Sequence, residues 1–178
     1  MKKIYFLTAF LFLVFYSQPL SSQDKESFKN KTWGFKIEYP AGWDRISKNL
    51  DSGFVFMSGK DIAVNRKVAI SIIVMQSASF KDKSLDDITD EKLSELTGEK
   101  NDSFKNFKVT RKVVDRTPAI YMAGDIKDKQ TGEKVSAIYY MMIKNNIFYM
   151  LMGVHEVNDA DYDEEYFNNL FENQFKFY

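Results

Sequence analysis

The richest cluster of potential metal ligands is the acidic run DADYDEE at residues 159–165, which follows His155 and Glu156. Carboxylates at alternate positions resemble the start of a calcium-binding EF-hand loop. The pattern then fails, because Glu164 stands where such a loop needs Gly and Leu170 where it needs Glu. Acidic residues are also typical of the first turn of a helix, where they favour the positive end of the helix dipole. We therefore predict no metal site here and a solvated or capping role for His155.

Nucleophilic catalysis has little support in this sequence. The chain has one His and no Cys, and no Gly-x-Ser-x-Gly motif surrounds a Ser, so no side chain is marked as an activated nucleophile. The eight Gly are too scattered for a phosphate-binding loop. Because 25 acidic side chains allow many pairs, a carboxylate-dependent hydrolase stays open as an alternative. We predict a protein that is not an enzyme and needs no cofactor.

Met and aromatic side chains are concentrated in two segments, YYMM at 139–142 and FYMLM at 148–152. One interpretation is a core, because strands that are apolar on both faces belong in the centre of a sheet or under a helix. The other is an adaptable binding surface, since Met fills irregular contacts and is common at promiscuous sites. The candidate partner or ligand surface consists of Tyr140, Met142, Tyr149, Met150 and Met152.

These segments belong to a regular series of strands and helices. Alternation of apolar and polar residues predicts strands, and a 3.6-residue period predicts helices over 84–97 and 159–175. The predicted order is β-β-β-α-β-β-β-β-α, with strands at 34–39, 54–57, 67–75, 107–116, 119–126, 135–143 and 147–153. We therefore predict an α+β fold in which amphipathic helices cover an antiparallel β-sheet meander.

One predicted strand is basic, with Lys108, Arg111, Lys112 and Arg116 along it. This strand is a second candidate surface. Charged side chains also protect an exposed edge strand from aggregation, and we favour that interpretation. The formal net charge of the whole chain is +0, which gives no support to nucleic-acid binding.

Residues 1–23 have the layout of a secretory signal peptide. Two lysines precede an apolar run over 4–16, and small residues follow at Ser21 and Ser22. The run is short for a transmembrane helix, although an uncleaved N-terminal anchor is the alternative. We predict cleavage between Ser21 and Asp24, which would leave no stable membrane span.

The mature chain, residues 24–178, is predicted to be one domain. It keeps 155 residues, all 25 acidic side chains and 23 of the 25 basic ones, for a net charge of about −2. We find no internal repeat and no break in composition. An exported chain without Cys fits a bacterial envelope, where disulfides are optional. We predict a periplasmic or secreted bacterial protein.

The start of the mature domain resembles the PsbP-like family. Residues 33–43 read WGFKIEYPAGW, in which an apolar strand runs into a Tyr-Pro-x-Gly-Trp turn, and the order of elements is similar as well. We interpret Tyr39, Pro40, Gly42 and Trp43 as a structural turn. The resemblance covers almost all of the mature chain. It implies an α/β/α sandwich and a non-catalytic binding or assembly role, as in the extrinsic P subunit of photosystem II and in envelope relatives that act as chaperones.

Three hypotheses on function follow from these observations. The leading one is an exported, non-catalytic module that binds another envelope or secreted protein, or helps it assemble. The first alternative is a carrier of an apolar small molecule in a groove between helix and sheet, which would need an apolar cavity. The second is a carboxylate-dependent hydrolase, which would need buried carboxylates with perturbed pKa values.

Overall fold

The computed structural model of the chain describes residues 24–46, 54–59, 68–76, 83–97, 104–127, 134–157 and 163–178. The predicted signal peptide at 1–23 and residues 159–162 of the acidic run lie outside these ranges. Among the described residues, no helix is both long and apolar enough to cross a membrane.

The described residues form ten strands and two helices. The strands are β1 (Lys25–Asn30), β2 (Phe35–Pro40), β3 (Asp44–Ile46), β4 (Phe54–Gly59), β5 (Val68–Met75), β6 (Phe104–Val114), β7 (Thr117–Lys127), β8 (Lys134–Lys144), β9 (Ile147–Glu156) and β10 (Phe175–Phe177). The helices are α1 (Leu85–Thr97) and α2 (Glu164–Asn169), and α2 continues into a π-helical turn at Leu170–Gln174.

Every pair of described strands is antiparallel, and the strands form two sheets. The larger sheet has the order β3-β4-β5-β9-β8-β7-β6, and the smaller one the order β1-β2-β10. Helix α1 packs on one face of the larger sheet over β6, β7 and β8. Helix α2, the π-helical turn and the smaller sheet pack on its other face. The predicted α+β sandwich is confirmed.

Strand β8 lies inside the larger sheet, between β7 and β9, and its middle is buried on both faces. Tyr139 and Met141 belong to the apolar cluster under α1. Tyr140 and Met142 belong to the cluster on the opposite face. The apolar character of both faces of this strand therefore follows from two helical layers, one on each side of the sheet.

The predicted turn after β2 has the expected structural role. Gly42 has a φ of +82°, which a residue with a side chain adopts at a cost. Glu26 on the neighbouring strand accepts hydrogen bonds from the Tyr39 hydroxyl at 3.0 Å and from the Gly42 N–H at 3.2 Å. Pro40 is the last residue of β2, opposite Lys25, and the N–H of Ala41 beyond it donates to the Asp24 carbonyl oxygen at 2.7 Å. Trp43 is buried in the core, so the turn also anchors an aromatic side chain.

Three short segments, β1, β3 and β10, form strands that the sequence pattern did not predict. Strand β1 has a single large apolar side chain, Phe28, so its period of two is weak, and pairing with β2 holds it in place. The predicted helix over 159–175 ends as a π-helical turn, and its last residue begins β10 instead. Phe175 stacks on Phe35 at 5.4 Å between ring centroids, so burial against the small sheet overrides the helical pattern.

Candidate interaction surface

Three of the large exposed apolar side chains in the described part of the chain lie on β6. Phe107 and Val109 are each 41% exposed, and Val113 is 60% exposed. Residues 107–111 are exposed one after another, on both faces of the strand. Strand β6 is the last strand of the larger sheet, which confirms the predicted edge. We call residues 107–113 the β6 surface.

The turn after β6 determines which backbone groups of this strand face outwards. Asp115 and Arg116 have φ angles of 44° and 64°, the geometry of a two-residue type I′ hairpin. The residues that flank this turn, Val114 and Thr117, face each other in the ladder and form its first hydrogen-bonded pair. Hydrogen-bonded and non-hydrogen-bonded pairs then alternate along β6.

Val113, Arg111 and Val109 occupy the non-hydrogen-bonded positions of the β6–β7 ladder. Val113 faces Pro118, which has no N–H to donate, in agreement with this assignment. The N–H and C=O groups of Val109, Arg111 and Val113 consequently point away from β7, toward the open edge of the sheet. The β6 surface thus combines exposed apolar side chains with outward backbone donors and acceptors.

On the α1 side of the sheet, the β6 surface is bordered by the start of that helix. Arg111 donates two hydrogen bonds to the Asp86 carboxylate, at 2.8 and 2.7 Å. Both side chains are more than half exposed, so water weakens this ion pair strongly. The pair positions the guanidinium without removing it from the surface.

The first turn of α1 is held by reciprocal hydrogen bonds between Ser84 and Asp87. The Asp87 carboxylate accepts from the Ser84 hydroxyl at 2.6 Å and from its N–H at 2.9 Å, and the Ser84 hydroxyl accepts from the Asp87 N–H at 3.1 Å. This is a capping box with Asp in the third position. The same bonds keep the pKa of Asp87 below its usual value.

On the other side of the sheet, a polar network joins β6, β7 and β8 to the C-terminal helix. Glu164 accepts hydrogen bonds from Lys108 and from the Tyr121 hydroxyl, both at 2.6 Å. Glu172 accepts from Lys112 at 3.0 Å. The Tyr140 hydroxyl lies 2.7 Å from both Glu172 Oε1 and Asn168 Oδ1, and it can donate its proton to either oxygen. The members of this polar network are Lys108, Lys112, Tyr121, Tyr140, Glu164, Asn168 and Glu172.

The electrostatics of this network favour charged carboxylates and neutral phenols. Burial, and next the hydrogen bond to a carboxylate, raises the pKa values of Tyr121 and Tyr140 far above their ordinary value. Burial opposes ionisation of Glu164, but the hydrogen bonds from Lys108 and Tyr121 outweigh it and lower the pKa of Glu164. Near neutral pH, each phenol is therefore a fixed donor and not a base.

The same network bears on the hydrolase alternative. A hydrolase of this class needs one carboxyl group whose pKa is raised so that it can act as an acid. The pKa of Glu164 is shifted in the opposite direction, and its carboxylate is already occupied by Lys108 and Tyr121. This carboxylate fixes α2 to the sheet, and its geometry gives no support to acid catalysis.

The predicted Met–aromatic surface needs a correction for three of its five residues. Tyr140, Met142 and Tyr149 are buried in the core cluster beneath α2 and the smaller sheet, so they do not form an open surface. Met150 and Met152 are half-buried and pack against the cluster under α1. The physical reason is that β8 is covered on both faces and β9 on the face beneath α2 and the smaller sheet, where the core interpretation holds.

The carrier alternative needs an apolar groove between helix and sheet, and the packing of β9 against α2 is close at Gly153. A Cβ built at Gly153 would overlap the ring of Phe167. His155, two residues along β9, is buried and stacks on the same ring at 5.7 Å. Its Nδ1 lies 2.8 Å from the carbonyl oxygen of Glu156. His155 is therefore a packed side chain within β9, neither solvated nor at a helix end, so the prediction of a solvated or capping His is wrong.

The described part of the acidic run has the role of a helix start. The Asp163 side chain caps α2 by accepting from the Tyr166 N–H at 2.8 Å. Glu164 and Glu165 lie in the first turn of the helix, as predicted. Within the described residues, no group of three or more His, Cys, Asp or Glu side chains could hold a metal ion.

The apolar part of the β6 surface was missed as a site by sequence reasoning. Alternation of Phe107, Val109 and Val113 with basic residues indicates a strand with one buried face. The structure instead leaves residues 107–111 exposed on both faces, and Val113 is exposed as well. A possible signal was the absence of any acidic residue along the 11 residues of this strand.

Comparisons with known proteins identify the fold. No family model matches the sequence, and no curated protein matches it either. Among solved structures, cyanobacterial PsbP from Synechocystis is similar with a TM-score of 0.56 and 12% identity, over 90% of this chain and 96% of that one. LpqN, involved in cell envelope biogenesis of Mycobacterium tuberculosis, is similar with a TM-score of 0.53 and 10% identity, over 88% and 86% of the two chains.

A Bacteroides thetaiotaomicron protein is similar with a TM-score of 0.57 and 12% identity, over 88% of this chain. The match spans only 49%, about half, of the Bacteroides chain. At these identities the similarity defines the fold alone. The chain has a PsbP-like fold, which confirms the resemblance that residues 33–43 and the order of elements suggested.

Proposed function

We propose that this protein is an exported, non-catalytic module that binds another envelope protein, or helps it assemble, through the β6 surface. The observation that carries the proposal is the exposure of Phe107, Val109 and Val113 on one edge strand. Natural edges are protected by being short and charged. Strand β6 is charged, but it has 11 residues and exposes large apolar side chains, features typical of contact surfaces.

The polar groups of the molecule support a binding role. Tyr121, Tyr140, Glu164 and Glu172 are engaged with one another or with lysines. They fix the C-terminal helix to the sheet next to β6. One protein with a similar fold is involved in cell envelope biogenesis, which agrees with a role in the envelope.

Export is tested by determining which residue is N-terminal in the protein isolated from its native cell. We expect the envelope or secreted fraction to contain a chain that begins between Ser21 and Asp24, measured by mass spectrometry of the intact protein. A full-length chain in the cytoplasm would contradict export. A full-length chain in the inner membrane would instead support the uncleaved anchor.

Binding through β6 is tested by site-specific photo-crosslinking in the native envelope. A photoreactive amino acid replaces Val113, and the matched control carries it at Val157, an exposed Val outside β6. We expect one discrete adduct from position 113, with the same protein recovered in repeated experiments, and Val109→Asp should reduce it. Equal adducts from both positions, or none from position 113, would contradict the proposal.

A further inference from the structure

We infer that the partner contributes an extended, acidic segment that adds to the larger sheet as a new strand beside β6. This inference rests on the proposed function and specifies its binding mode and the chemistry of the partner. Strand addition uses the backbone of an exposed edge for affinity and alternate side chains for specificity.

The backbone of β6 offers an edge of suitable length. Val109, Arg111 and Val113 point their N–H and C=O groups outwards, as the type I′ turn at 115–116 requires. These three residues provide three donors and three acceptors in one row. Among the described residues, β6 pairs only with β7, so the edge that carries this row has no neighbouring strand there.

The side chains on the two faces of β6 define what an added strand must carry. On the α1 face, Arg111 stands between Val109 and Val113. On the other face, Thr110 stands between Lys108 and Lys112. A complementary strand therefore has an acidic residue between two apolar ones on its first face, and two acidic residues on its second, because directly opposed charges of opposite sign stabilise a strand pair.

Charge distinguishes this partner from a second copy of the same chain. The 11 residues of β6 include four basic side chains, at Lys105, Lys108, Arg111 and Lys112, and no acidic one. Two β6 strands side by side would combine two basic rows, which is unfavourable. The carboxylates that now pair with Lys108 and Arg111, those of Glu164 and Asp86, are 46% and 55% exposed, so water weakens both pairs and a partner's carboxylates can compete for these two basic side chains.

The inference is tested with a synthetic peptide that needs no knowledge of the natural partner. The probe is a fluorescently labelled segment of about seven residues, Val-Glu-Val-Thr-Glu-Glu-Val, a length that matches 107–113 at ~3.3 Å per residue. Its control has Lys in place of each Glu. We expect the acidic peptide to bind the purified protein at least about tenfold more tightly in fluorescence anisotropy, with affinity falling as salt rises.

Backbone pairing between β6 and the peptide is tested first by changing the protein. Val109→Pro removes an N–H that points outwards and makes no hydrogen bond to β7. Val109→Thr keeps this N–H and is the matched control. We expect the Pro variant to bind at least about tenfold more weakly and the Thr variant within about threefold of the original protein. Circular dichroism and thermal unfolding verify that both variants fold.

If Val109→Pro fails to fold, N-methylated peptides replace it. N-methyl groups on alternate residues remove either the donors that face β6 or those that face away. One of the two peptides should lose binding and the other should keep it. Equal binding of both, or equal binding of the acidic and basic peptides, would overturn the inference.

Two further outcomes separate this inference from the proposed function. An adduct from position 113 that is insensitive to Val109→Pro would leave the envelope partner in place and reject strand addition. A dimer of the protein in sedimentation experiments that Val109→Pro dissociates would replace the acidic partner by a second copy of the chain.

Discussion

Gly153 on β9 lies directly against the ring of Phe167 on α2, so close that a Cβ at position 153 would overlap three atoms of that ring. The glycine therefore sets the distance between the C-terminal helix and the larger sheet. Phe167 in turn contacts Phe171 and His155. One missing side chain thus allows a layer of rings to close over the core.

Replacing Gly153 by Ala should destabilise the fold by ~1–3 kcal/mol, because the added methyl group overpacks a rigid contact. Chemical denaturation measures this change. Phe167→Leu in the same chain should recover part of the loss, since it removes the overlapping ring atoms. An additive loss in the double variant would show that the two residues do not constrain each other.

The neighbouring residues Val113 and Val114 should respond very differently to truncation. Val114 is fully buried and Val113 is 60% exposed. Val114→Ala should cost ~1.5–3 kcal/mol of unfolding free energy, whereas Val113→Ala should stay within ~0.5 kcal/mol. The two unfolding curves are compared under identical conditions. A large effect of Val113→Ala would mean that the β6 surface contributes to folding.

Removing the hydroxyl of Tyr140 should weaken the attachment of the C-terminal helix. Tyr140→Phe leaves the acceptors of Glu172 and Asn168 without this donor, at a cost of ~1–3 kcal/mol. Tyr178→Phe makes the same chemical change at an exposed position and should be nearly neutral. Thermal unfolding compares the two variants, and equal stabilities would contradict a structural role for the network.

The lowered pKa of Glu164 predicts acid sensitivity with a defined sign. A carboxyl group with a depressed pKa in the folded state stabilises the fold above its ordinary value of 4.5. This contribution is lost as the pH falls below 4.5 through the folded-state pKa. The Glu164 side chain is 46% exposed, so the effect should stay below ~1 kcal/mol.

Glu164→Gln should accordingly flatten the dependence of unfolding free energy on pH between about pH 6 and pH 3. Glu165→Gln, one residue further along α2 at an exposed position, serves as the control. If both variants keep the slope of the original protein, Glu164 is not the group responsible.

The sequence pattern was informative where a single face or a strong turn dominates. The alternation in β2 and β5, the period of α1 and the Pro40–Gly42 turn all match the observed elements. Strand β10 was not predictable in the same way, because Phe175 also fits the helical pattern before it. Its strand conformation depends on Phe35, which lies 140 positions earlier in the chain.

The candidate surface on β6 also has features that the sequence could predict and features that it could not. The basic row of β6 and its place at an edge could be predicted, since charged residues are typical of edges. The exposure of Val109 and Val113 could not, because alternation predicts a buried face but not whether a helix covers it. The predicted Met–aromatic surface was corrected for the same reason at Tyr140, Met142 and Tyr149, which two layers of helices and strands enclose.

By itself, the sequence determined the fold class, the order of most strands and helices along the chain, and the scarcity of catalytic side chains. These properties depend on local periodicity, turn residues and composition, which a linear chain displays directly. The tertiary structure decided which apolar faces are buried, which carboxylates pair with lysines and which backbone groups of β6 point outwards. Those properties depend on contacts between distant segments, and only the packed sheet and helices bring these segments together.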